Sequence, residues 1–141
     1  MNISRLFLKV VQWSRSRMTV YVLLLLWMTV IFSFSTLPGK ETASAPTLGY
    51  YLERKGAHVF EYAVLMLLSF RYLKLSYVRE SFGRVLSLAA AFSLMYAVTD
   101  ELHQFFVPFR GARMSDVLID GLGIFLAGLA LFLWGKNKKR P

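Results

Sequence analysis

The residues of this 141-residue chain that could do chemistry lie in unexpected surroundings. Most of its eight acidic residues sit inside, or at the edge of, segments otherwise apolar enough to cross a membrane. A charged side chain in the hydrocarbon region costs at least ~2.5–3.5 kcal/mol, so each one needs an ion partner, a proton, a metal or a function. The two histidines, His58 and His103, lie beside them in the sequence. The acidic residues concerned are Glu61, Asp100, Glu101, Asp116 and Asp120.

Helical spacing groups these residues onto shared faces. Side chains three or four residues apart on a helix are neighbours. If the three segments that carry them turn these faces toward a common axis, the groups converge in a polar cup. The pairs are His58 with Glu61, Asp100 with His103 and Gln104, Glu101 with Gln104, and Asp116 with Asp120.

Such a cup combines groups for acid–base catalysis with groups that bind an anion. The guanidinium of Arg110 suits a phosphate or a carboxylate. A divalent metal is the one cofactor left open, but no metal-ligand motif such as HExxH is present, so the sequence assigns no metal ligand. The predicted catalytic residues are His58, Glu61, Asp100, Glu101, His103 and Asp120, and the predicted binding residues are Lys55, Gln104, Arg110 and Asp116.

Structural roles compete with these functional ones. Arg110 can belong to a loop in which Arg113 pairs with Asp116, and Asp116 can also cap the N-terminal end of its helix. The carboxylates of Glu61 and Asp120 can form internal salt bridges with nearby cations. Those cations are Arg54, Lys55 and Arg110.

Composition indicates a membrane protein. The chain is 56% hydrophobic and 16% aromatic, with a mean hydropathy of +0.48, which is too apolar for a soluble domain of this length. The net charge of +9 is then a topology signal and an attraction to anionic lipid. No basic face with exposed aromatic residues is visible, so nucleic-acid binding is excluded. Cysteine is absent, which excludes disulfides and thiolate metal sites.

Four segments have the ~17–25 mostly apolar residues that a transmembrane helix needs. The linkers are short, with no repeat, so the sequence predicts a single domain over residues 1–141. The predicted fold class is all-α: a polytopic membrane protein with four transmembrane helices in a compact bundle. The first helix carries no charge, and we expect it to be uncleaved and to face lipid. The helices are predicted at about residues 18–34, 55–73, 84–106 and 115–134.

Basic residues flank these segments unevenly. Lys and Arg are concentrated before the first helix, between the second and third, and after the fourth, and the positive-inside rule makes those regions cytoplasmic. Both termini are then cytoplasmic, and counting helical rise places the polar residues at one level near the outer boundary of the bilayer. The flanking residues are Arg5, Lys9, Arg15, Arg17, Arg71, Lys74, Arg79, Arg84, Lys136, Lys138, Lys139 and Arg140.

Two stretches of the sequence resemble the motifs of the VanZ-like family, over about residues 55–128. The resemblance implies a small bacterial integral membrane protein with a cell-envelope role and with these residues as its site. The family's name-giving member is linked to resistance to the glycopeptide antibiotic teicoplanin. One departure is Phe109, where the family more often has glycine. The stretches are RKGAHVFEY from Arg54 to Tyr62 and DELHQFFVPFR from Asp100 to Arg110, followed by Asp116, Asp120 and Gly123.

Together these features predict a protein of the bacterial cytoplasmic membrane that acts on a lipid-linked phosphate or glycan of the envelope. Glu101 or Glu61 would serve as acid and base. His58 or His103 would carry a second proton, and Arg110 would anchor the phosphate. The alternatives are a non-catalytic envelope accessory or binding protein, and an ion-coupled transporter. The inner half of the last three helices offers little polar beyond serines, which disfavours transport.

Overall fold

The computed structural model describes residues 16–38, 48–110 and 114–137, and all regular structure within these ranges is α-helical. This confirms the predicted all-α fold class, with one helix at each of the four predicted segments. The largest difference is at the second helix, which begins at 48 rather than about 55, because hydropathy marks only its apolar part. The helices are α1 (Arg17–Ser35), α2 (Leu48–Ser76), α3 (Phe82–Phe105) and α4 (Met114–Asn137).

Three of these helices are long and apolar enough to cross a membrane by length and composition: α1, α3 and, over Ser115–Lys136, α4. Their outward faces carry large apolar side chains, such as Leu26, Met95 and Leu118. A surface of this kind is a liability in water and is expected in lipid. The 29-residue α2 is the longest helix and the most charged of the four, and it packs against each of the other three. The bundle therefore shields its charged helix from lipid.

The core follows the helical period of α2. Its buried apolar side chains recur three and four residues apart, which is the spacing of one helix face. Small residues on α3 and α4 allow close packing against this face. The core residues are Leu24, Ile31, Tyr62, Leu65, Met66, Phe70, Val85, Ala89, Ala97, Ile124 and Ala127.

Gly123 sets the crossing of α2 and α4. A Cβ atom added at Gly123 would lie 2.2 Å from the carbonyl oxygen of Val59, which is closer than atoms can approach. Only glycine therefore permits this separation of the two backbones. Val59 follows His58, and Gly123 lies one turn after Asp120, so the close crossing brings these two polar residues face to face.

α1 exposes large apolar side chains, as expected of a helix that faces lipid, but it also makes polar contacts with α2 and α3 that were not predicted. The Nε1 of Trp27 donates to the backbone carbonyl of Glu61 at 2.9 Å, and the hydroxyl of Tyr96 donates to the carbonyl of Met28 at 2.7 Å. Ser35, at the end of α1, is buried and hydrogen-bonded to α3. Hydropathy did not indicate these contacts because they are made by isolated polar atoms to residues distant in the sequence.

Many of the residues behind the sequence predictions for the linkers and termini lie outside the described ranges. They include the basic residues that precede Arg17, those that follow Asn137, and Arg113 with its predicted pairing to Asp116. The cytoplasmic location of both termini therefore stays a prediction from sequence.

Candidate functional site

The polar residues gather at one end of the bundle. The C-terminal ends of α1 and α3 meet the N-terminal half of α2 and the N-terminal end of α4 there, because consecutive helices run in opposite directions. At the other end, Gly135 of α4 approaches the ring of Phe82 at the start of α3. The common level predicted from helical rise is therefore observed.

His58, Glu101 and Asp120 converge from three different helices. One imidazole nitrogen of His58 and one carboxylate oxygen from each of Glu101 and Asp120 lie within 4.8 Å of one another. We call this group the His58–Glu101–Asp120 cluster. The Nδ1 of His58 lies 3.2 Å from Oδ1 of Asp120. This is ion-pair distance, although the geometry does not give a hydrogen bond. The predicted convergence of these three side chains is confirmed.

The cluster is buried, and most of its polar atoms make no hydrogen bond within the described part of the chain. Glu101 is 6% exposed and Asp120 is 0% exposed. Both carboxylate oxygens of Glu101, both of Asp120 and the Nδ1 of His58 lack a hydrogen-bond partner among the described residues. A buried polar atom left without a partner costs roughly 1–3 kcal/mol, and more if charged. Such a site is suited to a proton, a ligand or a cation rather than to stabilising the fold.

Asp100 occupies a separate and fully bonded network beside the cluster. The hydroxyl of Ser35 donates to Oδ1 of Asp100. The Nε2 of Gln104 donates to Oδ2 of Asp100 at 2.8 Å and to the Ser35 hydroxyl at 3.1 Å. Both oxygens of Asp100 thus accept hydrogen bonds, and the network joins α1 to α3. This geometry resembles a structural support more than a reactive group.

Arg110 extends that network to the end of α1. Its Nε donates to Oε1 of Gln104 at 2.9 Å, and its Nη1 donates to the carbonyls of Phe34 and Leu37. Phe34 is in the last turn of α1, where carbonyls lack intrahelical partners, and Leu37 lies two residues beyond the helix. Burial lowers the pKa of the Arg110 guanidinium, but an arginine stays charged at physiological pH. Arg110 therefore caps α1 with a charged group.

The turn after α3 aims Arg110 at these acceptors. α3 ends at Phe105, shortly before Pro108, which cannot continue the helix. The backbone N–H of Arg110 donates to the carbonyl of Val107 at 3.2 Å. Phe109 within this turn has a φ of 58°, the left-handed conformation that glycine adopts most easily. This is the position where the sequence departs from the VanZ-like motif.

Lys55 and Asp116 form an ion pair between α2 and α4. The Nζ of Lys55 lies 2.9 Å from Oδ1 of Asp116, and both side chains are partly exposed. An exposed pair of this kind contributes about 0–1 kcal/mol. Asp116 thus has a salt bridge with Lys55, a partner that the sequence analysis did not assign to it.

Two predicted catalytic residues are not members of the cluster. The ring of His103 packs against Phe32 of α1 at a centroid distance of 4.6 Å, and its buried Nε2 has no partner among the described residues. Glu61 is half-buried, and its side chain is not one of the three whose donor atoms converge. The sequence could not separate them from His58 and Glu101, since helical spacing fits both.

Sequence reasoning missed Ser35 and the hydroxyl of Tyr62. Ser35 lies one residue beyond the first predicted helix (about residues 18–34), and a single hydroxyl there gives no distinct signal. The hydroxyl of Tyr62 is buried without a hydrogen-bond partner among the described residues, and the residue lies next to Glu61 within the resemblance motif. Its place in the motif was the one sequence feature that could have indicated Tyr62 as a site residue.

Membrane-length helices packed around a buried histidine–carboxylate cluster define a small polytopic membrane protein with a polar site at one end of its bundle. The chain belongs to the VanZ/LLP1 family, since residues 18–135 match the sequence model of that family. The match includes every site residue described above. Comparisons with curated proteins and with solved structures returned no match.

Proposed function

We propose that this protein is an enzyme of the bacterial cytoplasmic membrane that hydrolyses or transfers a lipid-linked phosphate at the outer face. The observation that supports this is the His58–Glu101–Asp120 cluster, in which three titratable side chains meet with unpaired buried oxygens. Buried titratable groups brought together in this way are typical of reacting sites.

The chemistry is that of phosphoryl transfer to water or to an alcohol. The acceptor oxygen attacks phosphorus, the bond from phosphorus to the leaving oxygen breaks, and the acceptor's proton is passed on to the leaving group. The cluster lies where a head group can enter from the polar end of the bundle while its acyl or prenyl chain stays in lipid. The predicted role of Arg110 as phosphate anchor stays a prediction, because its hydrogen bonds cap α1.

The envelope role follows from topology and family. The basic flanks place the polar end of the bundle outside the cell, where lipid-linked precursors of the wall are exposed. A contribution to glycopeptide susceptibility, teicoplanin included, is part of this proposal because of the resemblance to the VanZ-like motifs.

The test is phosphate release from a polyprenyl diphosphate by the purified full chain in lipid nanodiscs. Glu101→Gln keeps the size of the side chain but removes its titrating group. We expect it to lower the rate by about 100-fold or more, the usual contribution of a general acid or base. Glu80→Gln is the matched control, since Glu80 pairs with Arg84 at the opposite end of the bundle. It should keep the wild-type rate.

A non-catalytic accessory protein is the competing function. The hydrogen-bonded network beside the cluster is consistent with this alternative, because side chains that are held in place can bind a ligand without reacting with it. The network consists of Ser35, Asp100, Gln104 and Arg110. Saturable binding of the polyprenyl diphosphate without any phosphate release would contradict the enzyme and support this alternative. Equal rates in wild type and Glu101→Gln would also contradict the proposed role of the cluster.

A further inference from the structure

We propose that His58, Glu101 and Asp120 bind a divalent metal ion. One imidazole nitrogen and two carboxylate oxygens form a mixed donor set. Imidazole favours transition metals over Mg²⁺ and Ca²⁺, and carboxylates suit Mn²⁺ and Zn²⁺. The chemistry therefore indicates Zn²⁺ or Mn²⁺ rather than an alkaline-earth ion.

The separation of the donor atoms is close to what such an ion requires. They lie within 4.8 Å of one another. Ligands about 2.1 Å from an ion are at most about 4.2 Å apart, on opposite sides of it. Small rotations of the side chains close this difference. The helices need not move, because the contact of Gly123 with Val59 already holds α2 and α4 at their closest approach.

The unpaired oxygens are the independent observation. Glu101 and Asp120 are at least nine-tenths buried, and neither has a hydrogen-bond partner for its carboxylate among the described residues. Asp100 precedes Glu101 in the same helix, is 3% exposed, and has both oxygens hydrogen-bonded. Both oxygens of Asp100 therefore accept hydrogen bonds, whereas neither oxygen of the adjacent Glu101 accepts one from the described residues. An ion between Glu101 and Asp120 accounts for this difference.

Two cationic side chains near the cluster, those of Lys55 and Arg110, bind to other groups. Lys55 pairs with Asp116, and Arg110 bonds Gln104 and the end of α1. In the described part of the chain, neither cation makes an ion pair or a hydrogen bond with the carboxylates of Glu101 and Asp120. A bound ion would supply the missing positive charge, and it would connect α2, α3 and α4 at one point.

A metal also removes an electrostatic difficulty of the proposed reaction. Two carboxylates facing a phosphate repel it, whereas a divalent ion between them attracts its oxygens and acidifies a bound water. This consequence depends on the proposed function, but metal binding itself does not. The two can therefore fail separately.

The test is binding of Zn²⁺, Mn²⁺ and Mg²⁺ to the chelator-treated full chain in detergent, by isothermal titration and by elemental analysis after gel filtration. We expect one equivalent of Zn²⁺ or Mn²⁺ and weaker binding of Mg²⁺. Glu101→Gln, Asp120→Asn and His58→Gln should each weaken binding by more than about 100-fold, beyond the effect of residues that merely orient ligands. Glu80→Gln is the control and should bind as wild type does.

Cobalt provides a readout that does not depend on the variants. Co²⁺ bound by the wild type should give a visible absorption spectrum that Zn²⁺ displaces. Absence of a stoichiometric ion in the wild type would overturn the inference, as would unchanged affinity in all three cluster variants. If the metal-free protein released phosphate at the full rate, the metal would not be required for catalysis, although metal binding itself would not be contradicted. Metal binding without turnover of any lipid phosphate would contradict the proposed function and leave the inference standing.

Discussion

Asp100 and Glu101 are consecutive residues with opposite environments. Successive side chains on a helix point about 100° apart, so one faces α1 and the other faces the cluster. Asp100 accepts hydrogen bonds from Ser35 and Gln104, while Glu101 accepts none from the described residues. Two carboxylates of similar burial therefore serve different purposes, one supporting the bundle and one available for chemistry.

Asp100→Asn should destabilise the protein, and Glu101→Gln should not. An amide at position 100 places an N–H₂ group against donors that now bond a carboxylate, which costs about 1–3 kcal/mol for a buried polar group left unpaired. At Glu101 the same chemical change removes a charge that lacks a protein partner. Thermal unfolding of the chelator-treated protein in detergent measures both effects without a contribution from a bound ion. Equal losses of stability in the two variants would contradict the division of roles.

Phe109→Gly should stabilise the protein. Phe109 is 64% exposed, so replacing it with glycine removes little packing. Its φ of 58° costs residues other than glycine about 1–2 kcal/mol, and glycine adopts it without this strain. Phe106 is the matched control, because it is 75% exposed and has a φ of −90°. Phe106→Gly should give no gain. An unfolding temperature that falls in Phe109→Gly as much as in Phe106→Gly would show that the turn is not strained.

At the scale of helices, the crossing of α2 and α4 positions the cluster. Gly123→Ala should separate these helices, because its Cβ would meet the carbonyl oxygen of Val59 at 2.2 Å. His58 and Asp120 would then move apart, lowering both stability and metal affinity. Gly121→Ala is the control, since a Cβ there meets nothing within 4 Å and alanine favours a helix by about 1 kcal/mol. A Gly123→Ala variant as stable and as tightly metal-binding as Gly121→Ala would contradict this crossing.

The sequence predicts the helices better than it predicts the hydrogen bonds between them. The apolar segments and their polar stripes are local patterns, so the four helices and the convergence of His58, Glu101 and Asp120 could be predicted. The bonds of Ser35 to Asp100 and of Trp27 to Glu61 join distant residues through single atoms, and no local pattern indicates them. The choice of His58 over His103 for the cluster depends on helix rotation, which equal spacing leaves open.

At the scale of the whole molecule, the helices pack with their charged member inside. α2 carries more charged residues than any other helix and packs against all three, while α1, α3 and α4 present large apolar side chains outward. A bundle of this kind keeps a polar site at membrane depth without exposing charge to hydrocarbon. Its function then depends on which side of the membrane the polar end faces.

Topology reporters can decide that side. The basic flanks predict that a reporter fused after Arg140 is active only in the cytoplasm, and that one inserted between residues 40 and 47 is active only outside. Reversed activities would place the His58–Glu101–Asp120 cluster at the cytoplasmic face and contradict a role on the outer leaflet.

The most direct test of the central claim is a double-mutant cycle on the rate of phosphate release from a polyprenyl diphosphate. The variants are Glu101→Gln, Asp120→Asn and the two combined, each checked for helicity by circular dichroism. Residues that act as one site are strongly non-additive, so each single change should cost about 100-fold or more and the pair little beyond the larger loss. A combined loss equal to the product of the single losses, or a wild-type rate in either single variant, would contradict a common site.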